Sequence, residues 1–146
     1  MIEIFIINSV LIASAVLIHY EGLNRLTQLI PKLTFLRPQL RIVVGVFGAL
    51  TAHVVEVWLF AFAYYFMDQS GRYGELTGNY DGGIMDASYF SFTTYTSLGF
   101  GDIVPLGDIR FLVGLEALTG LVLITWTASF MYIEMQRFWV KSDSSS

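Results

Sequence analysis

Three stretches of this chain are apolar almost without interruption: residues 4–20, 42–67 and 111–133. A helix needs about 20 apolar residues to cross the hydrocarbon of a bilayer, so each predicts a membrane-spanning helix. The first is the shortest. Ala13-Ser14-Ala15 has the look of a signal-peptide cleavage site, but no Lys or Arg precedes it, and cutting there leaves too short a hydrophobic segment. Residues 1–20 are therefore expected to remain as a peripheral N-terminal helix. In residues 21–41, Leu23, Leu26, Leu29, Ile30 and Leu33 recur at helical spacing, interleaved with Arg25, Lys32, Arg37 and Arg41. That pattern predicts a helix lying at the cytoplasmic interface, bent or ended by Pro31 and Pro38. Its basic residues serve either to contact anionic lipid or only to set topology.

Between the second and third spans the pattern changes. Residues 68–85 form a glycine-rich loop, 86–96 a run long enough for a short helix with Asp86 as its N-cap, and 97–102 a polar stretch with glycine at every second position. In the second span, Gly45 with Ala49 and Gly48 with Ala52 place small residues four apart, the spacing that lets helices approach closely in lipid.

Composition agrees with the spans. With 146 residues, 55% hydrophobic, 14% charged and a mean hydropathy of +0.62, the chain is no ordinary soluble domain. Arg25, Lys32, Arg37, Arg41, Arg137 and Lys141 fall after the first span and in the tail, leaving Arg72 and Arg110 for the opposite face. Lys and Arg accumulate on the cytoplasmic side, so the N-terminus is expected outside and the C-terminus inside. The outer face then gathers Asp68, Glu75, Asp81, Asp86, Asp102 and Asp108, a distribution that concentrates cations. Asp68 and Glu75 are expected to be solvated loop residues and Asp102 to matter most.

Non-helical chain at membrane depth is tolerated only where it is buried in protein or lines a water-filled path. Gly99 and Gly101 can take left-handed dihedrals that turn the carbonyls of Ser97, Leu98, Gly99 and Phe100 toward one axis. Carbonyl rings of that kind replace an ion's water shell. Here Ser97-Leu98-Gly99-Phe100-Gly101-Asp102, entered through Thr96 at the end of a threonine-rich run, resembles the Thr-Val-Gly-Tyr-Gly-Asp selectivity filter of potassium channels. Tyr89 and Phe90 stand where that family places pore-helix aromatics, and Ile103-Val104-Pro105 where the outer mouth turns.

The resemblance, to the pore-loop superfamily with a two-helix pore, covers roughly residues 42–135 and leaves the N-terminal span as an addition. It implies an all-α membrane protein of three transmembrane helices with a re-entrant pore helix and a selectivity-filter loop, assembled as a homotetramer. Its parts are an outer helix 42–67, outer loop 68–85, pore helix 86–96, filter 97–102, inner helix 109–135 and cytoplasmic tail 136–146. K+ is the implied permeant ligand at Ser97, Leu98, Gly99 and Phe100, with no further cofactor. The implied partners are other copies of the chain and membrane lipid, with no nucleic acid; small size and the lack of a targeting peptide favour a prokaryotic plasma membrane.

Three positions depart from the family pattern: serine keeps the threonine hydroxyl, leucine keeps an apolar side chain, and Phe100 removes a hydroxyl that usually ties filter to pore helix. K+ selectivity is expected to survive with a less rigid filter. The alternatives are a weakly selective Na+/K+ pore and a non-conducting accessory subunit, the latter expected to lose the filter glycines that this chain keeps. Gly120 lies where the family often has an inner-helix hinge, with close packing as its other reading and Gly114 as a competitor. Thr125 and Ser129 either face the cavity or bond their own backbone.

An ionisable group near the bilayer centre costs about 2.5–3.5 kcal/mol by insertion scales, so His53, Glu56 and Glu116 stand out. His53 and Glu56 share a helix face, and Glu56 and Glu116 fall at similar depths, level with the pore helix. They are expected to meet behind the filter in one hydrogen-bonded cluster, either bracing the pore helix only or sensing protons through His53. An enzyme is not expected: His53-Val54-Val55-Glu56 lacks the His-Glu-x-x-His pattern, His19 lies in another helix, and there is no cysteine. No arginine ladder marks a voltage sensor, and little chain follows residue 133. Gating is left to the filter, the inner helices, lipid or a partner. Phe138 and Trp139 are expected to anchor the inner helix, with 142–146 disordered.

Overall fold

The computed structural model describes residues 2–143, and for Pro38 and 138–143 the backbone alone. The anchoring expected of Phe138 and Trp139, and the end of the tail, lie outside the described residues. The elements are α1 (Ile2–Leu29), a 3-10 turn (Ile30–Lys32), α2 (Pro38–Ser70), β1 (Gly74–Gly78), α3 (Ile84–Tyr95), β2 (Ile103–Gly107) and α4 (Ile109–Asp143). Ile2–Lys32, Gln39–Ser70 and Ile109–Arg137 are long and apolar enough to cross a membrane. The protein is thus an all-α membrane protein with three spanning helices and a short helix between the second and third. α2 is central, packing against α1, α3 and α4.

The first two boundaries need correction. α1 does not stop at residue 20 to leave a separate interfacial helix over 21–41. Ile4, Asn8, Ala15, His19, Leu23 and Leu26 are buried along one continuous helix, spaced three, four or seven apart so that they share one face. Leu23, Leu26 and Ile30 pack with Ala49 of α2, while Glu21 and Arg25 pair at 2.7 Å on the exposed side. Pro31 sits in the 3-10 turn that follows. Pro38 begins α2, where its missing N–H costs nothing. Gly48 faces Leu26 so closely that an added Cβ would overlap it, as the small-residue spacing predicts.

The loop over 68–85 also differs from expectation. β1 pairs antiparallel with β2, from Gly74↔Gly107 to Gly78↔Ile103, so the loop is stitched to the chain immediately after Asp102. Asp68 is not a free solvated residue: its Oδ1 accepts the Leu76 N–H at 2.8 Å, fixing β1 to the end of α2. Burial, with the Asp68 carboxylate nearby, pushes the Tyr80 phenol up to about 12. Glu75 is exposed, as expected. Nor is Asp86 the N-cap of α3. That position is Gly83, and Asp86 lies in the first turn, where its Oδ2 accepts the Asp81 N–H at 2.8 Å.

The main core lies where α2, α3 and α4 meet, around Phe60, Tyr64, Phe90, Tyr95, Leu112 and Leu123. Large apolar side chains such as Phe47, Phe66, Leu118 and Val122 remain exposed on the long helices, as befits helices that cross a membrane.

Candidate functional site

The stretch from Thr96 to Asp102 leaves α3 through a tight set of backbone hydrogen bonds. The N–H groups of Thr96, Ser97 and Gly99 donate to the carbonyls of Phe92, Thr94 and Thr93 at 3.2, 2.9 and 3.0 Å. Beyond this turn, Ser97, Gly99 and Gly101 have φ of 59°, 50° and 78°, while Leu98 and Phe100 stay at negative φ. In an extended strand successive carbonyls point to opposite sides. Reversing the hand of alternate residues turns them toward the same side. A Cβ at Gly99 or Gly101 would meet nothing within 4 Å, so the dihedral rather than crowding demands glycine there. Ser97 adopts the left-handed region without that freedom, a strain of about 1–3 kcal/mol of the kind concentrated at functional sites. Leu98 and Phe100 are 60% and 65% exposed, and a hollow of about 340 Å3, bordered by Thr93, Ser97, Gly101, Asp102 and Val113, lies alongside.

Tyr89 and Phe90 diverge. The Tyr89 hydroxyl donates to Asp102 Oδ2 at 2.9 Å, and its ring lies parallel to that of Phe100, 6.5 Å between centroids with 6° between planes. Phe90 turns inward to meet Tyr64 edge-on at 5.0 Å. The loop is therefore tied to α3 even without a hydroxyl at position 100: an aromatic stack holds Phe100, and the hydroxyl is supplied by Tyr89 to the next acidic residue. The Asp102 carbonyl in turn accepts the Asn79 N–H at 2.9 Å.

His53, Glu56 and Glu116 do not form the single cluster expected of them. Glu116, fully buried, takes the Tyr64 hydroxyl on Oε2 at 2.5 Å and the Ser91 hydroxyl on Oε1 at 2.5 Å. Glu56, also fully buried, belongs to a second group. His19 Nδ1 is 2.9 Å from its Oε1, His53 Nδ1 is 3.2 Å from its Oε2, and the Tyr95 hydroxyl donates to Oε2. Thr127 Oγ1 closes the group from α4, 2.9 Å from His53 Nε2 and 3.4 Å from His19 Nε2. In the sequence His19 stands apart from this group because it lies in another helix. The signal that would have recruited it is the buried stripe of α1, on which it falls.

Gly120 is a packing site: an added Cβ would overlap the Tyr95 carbonyl, and α4 continues through it without interruption. Nothing crowds Gly114. The hydroxyls of Thr125 and Ser129 donate to carbonyls of their own helix, Leu121 at 2.8 Å and Thr125 at 3.1 Å.

No curated protein and no solved structure matches the chain. Residues 52–137 match a protein-family model described as "Ion channel". The match starts within α2, ends within α4 and takes in α3, both strands and the left-handed loop, which is more than half of the chain, with α1 outside it. With that match and three helices able to span a bilayer, the chain belongs to this ion-channel family, as an integral membrane protein that passes ions.

Proposed function

We propose that the protein is a potassium-selective channel that conducts K+ passively through a filter made of four copies of Ser97-Leu98-Gly99-Phe100-Gly101. The observation that carries this reading is the alternation of left-handed Ser97, Gly99 and Gly101 with Leu98 and Phe100, directly after a helix of 12 residues. One chain offers one column of carbonyls on an exposed strand. A ring of ligands around an ion needs further copies, and a fourfold closed arrangement supplies it. The C-terminal end of α3 carries the negative end of its dipole to the inner end of that strand, where it favours a cation. Asp102, held by Tyr89, stands at the outer mouth. The distribution of Lys and Arg supports an outer N-terminus and a cytoplasmic C-terminus in a plasma membrane, with K+ as the permeant ligand and lipid and other copies of the chain as its partners.

The weakly selective alternative rests on Phe100, which lacks the hydroxyl of the family pattern and is 65% exposed. The reversal potential of the purified protein in planar bilayers, with K+ on one side and Na+ on the other, separates the two. A value near the K+ equilibrium potential is expected. A value near zero overturns selectivity and identifies a general monovalent cation pore.

A further inference from the structure

The group around Glu56 has a composition that bracing alone does not require: two imidazoles and a carboxylate converge from two helices, with one nitrogen of each ring aimed at the carboxylate. We propose that His19, His53 and Glu56 bind one divalent transition-metal ion of the zinc class per chain. One ligand atom from each of the three lies within 4.8 Å of the others. Two ligands of a tetrahedral ion, at about 2.0–2.1 Å from it, are separated by roughly 3.3 Å. The Nδ1 atoms of His19 and His53 already stand 2.9 and 3.2 Å from the two Glu56 oxygens. Admitting the ion requires both contacts to open toward that separation and the carboxylate to turn, because the two rings face different oxygens.

The surrounding groups fit a ligating state. A neutral imidazole carries one proton. If each ring donates from Nδ1 to Glu56, Thr127 has a single proton to offer two Nε2 lone pairs, at 2.9 and 3.4 Å. If Nδ1 of each ring ligates a metal, both Nε2–H groups can donate to the two lone pairs of Thr127; with His53 protonated on Nε2 and its Nδ1 accepting from Tyr95, the same groups pair without an ion, so the network accommodates the ligating state without requiring it. Holding the far nitrogen of a ligating histidine in this way is the usual second layer of a metal site. The Tyr95 hydroxyl, beside both Glu56 Oε2 and His53 Nδ1, orients the carboxylate. Two imidazoles with one carboxylate suit Zn2+ better than Mg2+ or Ca2+, which take oxygen ligands. His19 and Glu56 have no exposed side-chain surface, whereas His53 retains 14% and marks the way in. The ion would tie α1 to α2 beside Tyr95, the last residue of α3.

The test uses the full-length protein in lipid nanodiscs, stripped with a chelator and titrated with Zn2+ against a chromophoric competitor. This binding readout does not depend on the ion selectivity of the pore. One Zn2+ per chain is expected, with Co2+ giving the visible absorption of a low-coordinate nitrogen and oxygen site. His53→Ala, at the partly exposed ligand, is expected to weaken Zn2+ binding by about 100-fold or more, beyond the 10–100-fold that a lost outer-layer contact costs. His53→Cys keeps a ligand but makes it a thiolate, so it should bind Cd2+ more tightly than the native chain does. Absence of Zn2+ binding to the native protein overturns the proposal. So does titration of both variants like the native protein.

Discussion

Ser91 and Tyr95 stand one turn apart on α3, and each is held by a different buried carboxylate in different company. The Glu116 oxygens meet two neutral hydroxyls, those of Tyr64 and Ser91. All three residues lie within the region matched by the ion-channel family and all are buried. Glu56 meets Tyr95 and two imidazoles, one of them from α1, outside that region, and the other partly exposed. The first group joins only α2, α3 and α4, and its closed set of partners serves to fix the short helix in place. The second joins the additional helix to the base of α3 through two imidazoles and a carboxylate. Similar burial thus covers two distinct chemistries.

Removing the closed group should have the largest effect. Glu116→Ala leaves the Tyr64 hydroxyl unpaired, at about 1–3 kcal/mol, while Ser91 keeps the Val57 carbonyl at 2.9 Å as an acceptor, and it opens a cavity besides. A loss of about 2–6 kcal/mol is expected in a detergent-unfolding titration, and native-like unfolding would remove the bracing role. Tyr95→Phe deletes one hydroxyl bonded to a carboxylate, for a smaller loss of about 1.5–3 kcal/mol. Because Tyr95 and His53 share Glu56, combining Tyr95→Phe with His53→Ala should depart from additivity by about 0.5–3 kcal/mol. Strict additivity would mean that the second group is not a unit. Arg25→Ala, which breaks only the exposed pair with Glu21 on the far side of α1, should leave the melting temperature unchanged.

Much of this arrangement is visible in the sequence. The three apolar runs and the Gly99-x-Gly101 spacing announce the spans and the left-handed loop, because membrane depth and positive φ each leave few alternatives. His53 and Glu56, three apart, necessarily share a face. The continuation of α1 was obscured because the drop in hydropathy at Glu21 follows the environment of the helix rather than its hydrogen bonding, and Leu23, Leu26 and Ile30 prolong the buried stripe. β1, Gly-Glu-Leu-Thr-Gly, carries one buried residue, Leu76, too little alternation to declare a strand whose partner begins after Asp102. His19 meets Glu56 across 37 residues, a relation that no local period encodes. The separation of Glu116 from Glu56 likewise depends on the angular placement of three helices around α3.

The parallel contact between Tyr89 and Phe100 gives the C-terminal end of the loop a distinctive mechanical character. A hydrogen bond at this position would act as a latch, weakening steeply once its angle or length departs from the optimum. Two faces lying 6° from parallel behave more like a sliding bearing, keeping attraction over a range of lateral offsets. The stack therefore constrains Phe100 less tightly within the plane of the rings than the hydroxyl of that same tyrosine constrains Asp102. One side chain of α3 thus holds two residues of the loop by contacts of different stiffness, a directional bond at one and a face-to-face contact two residues away.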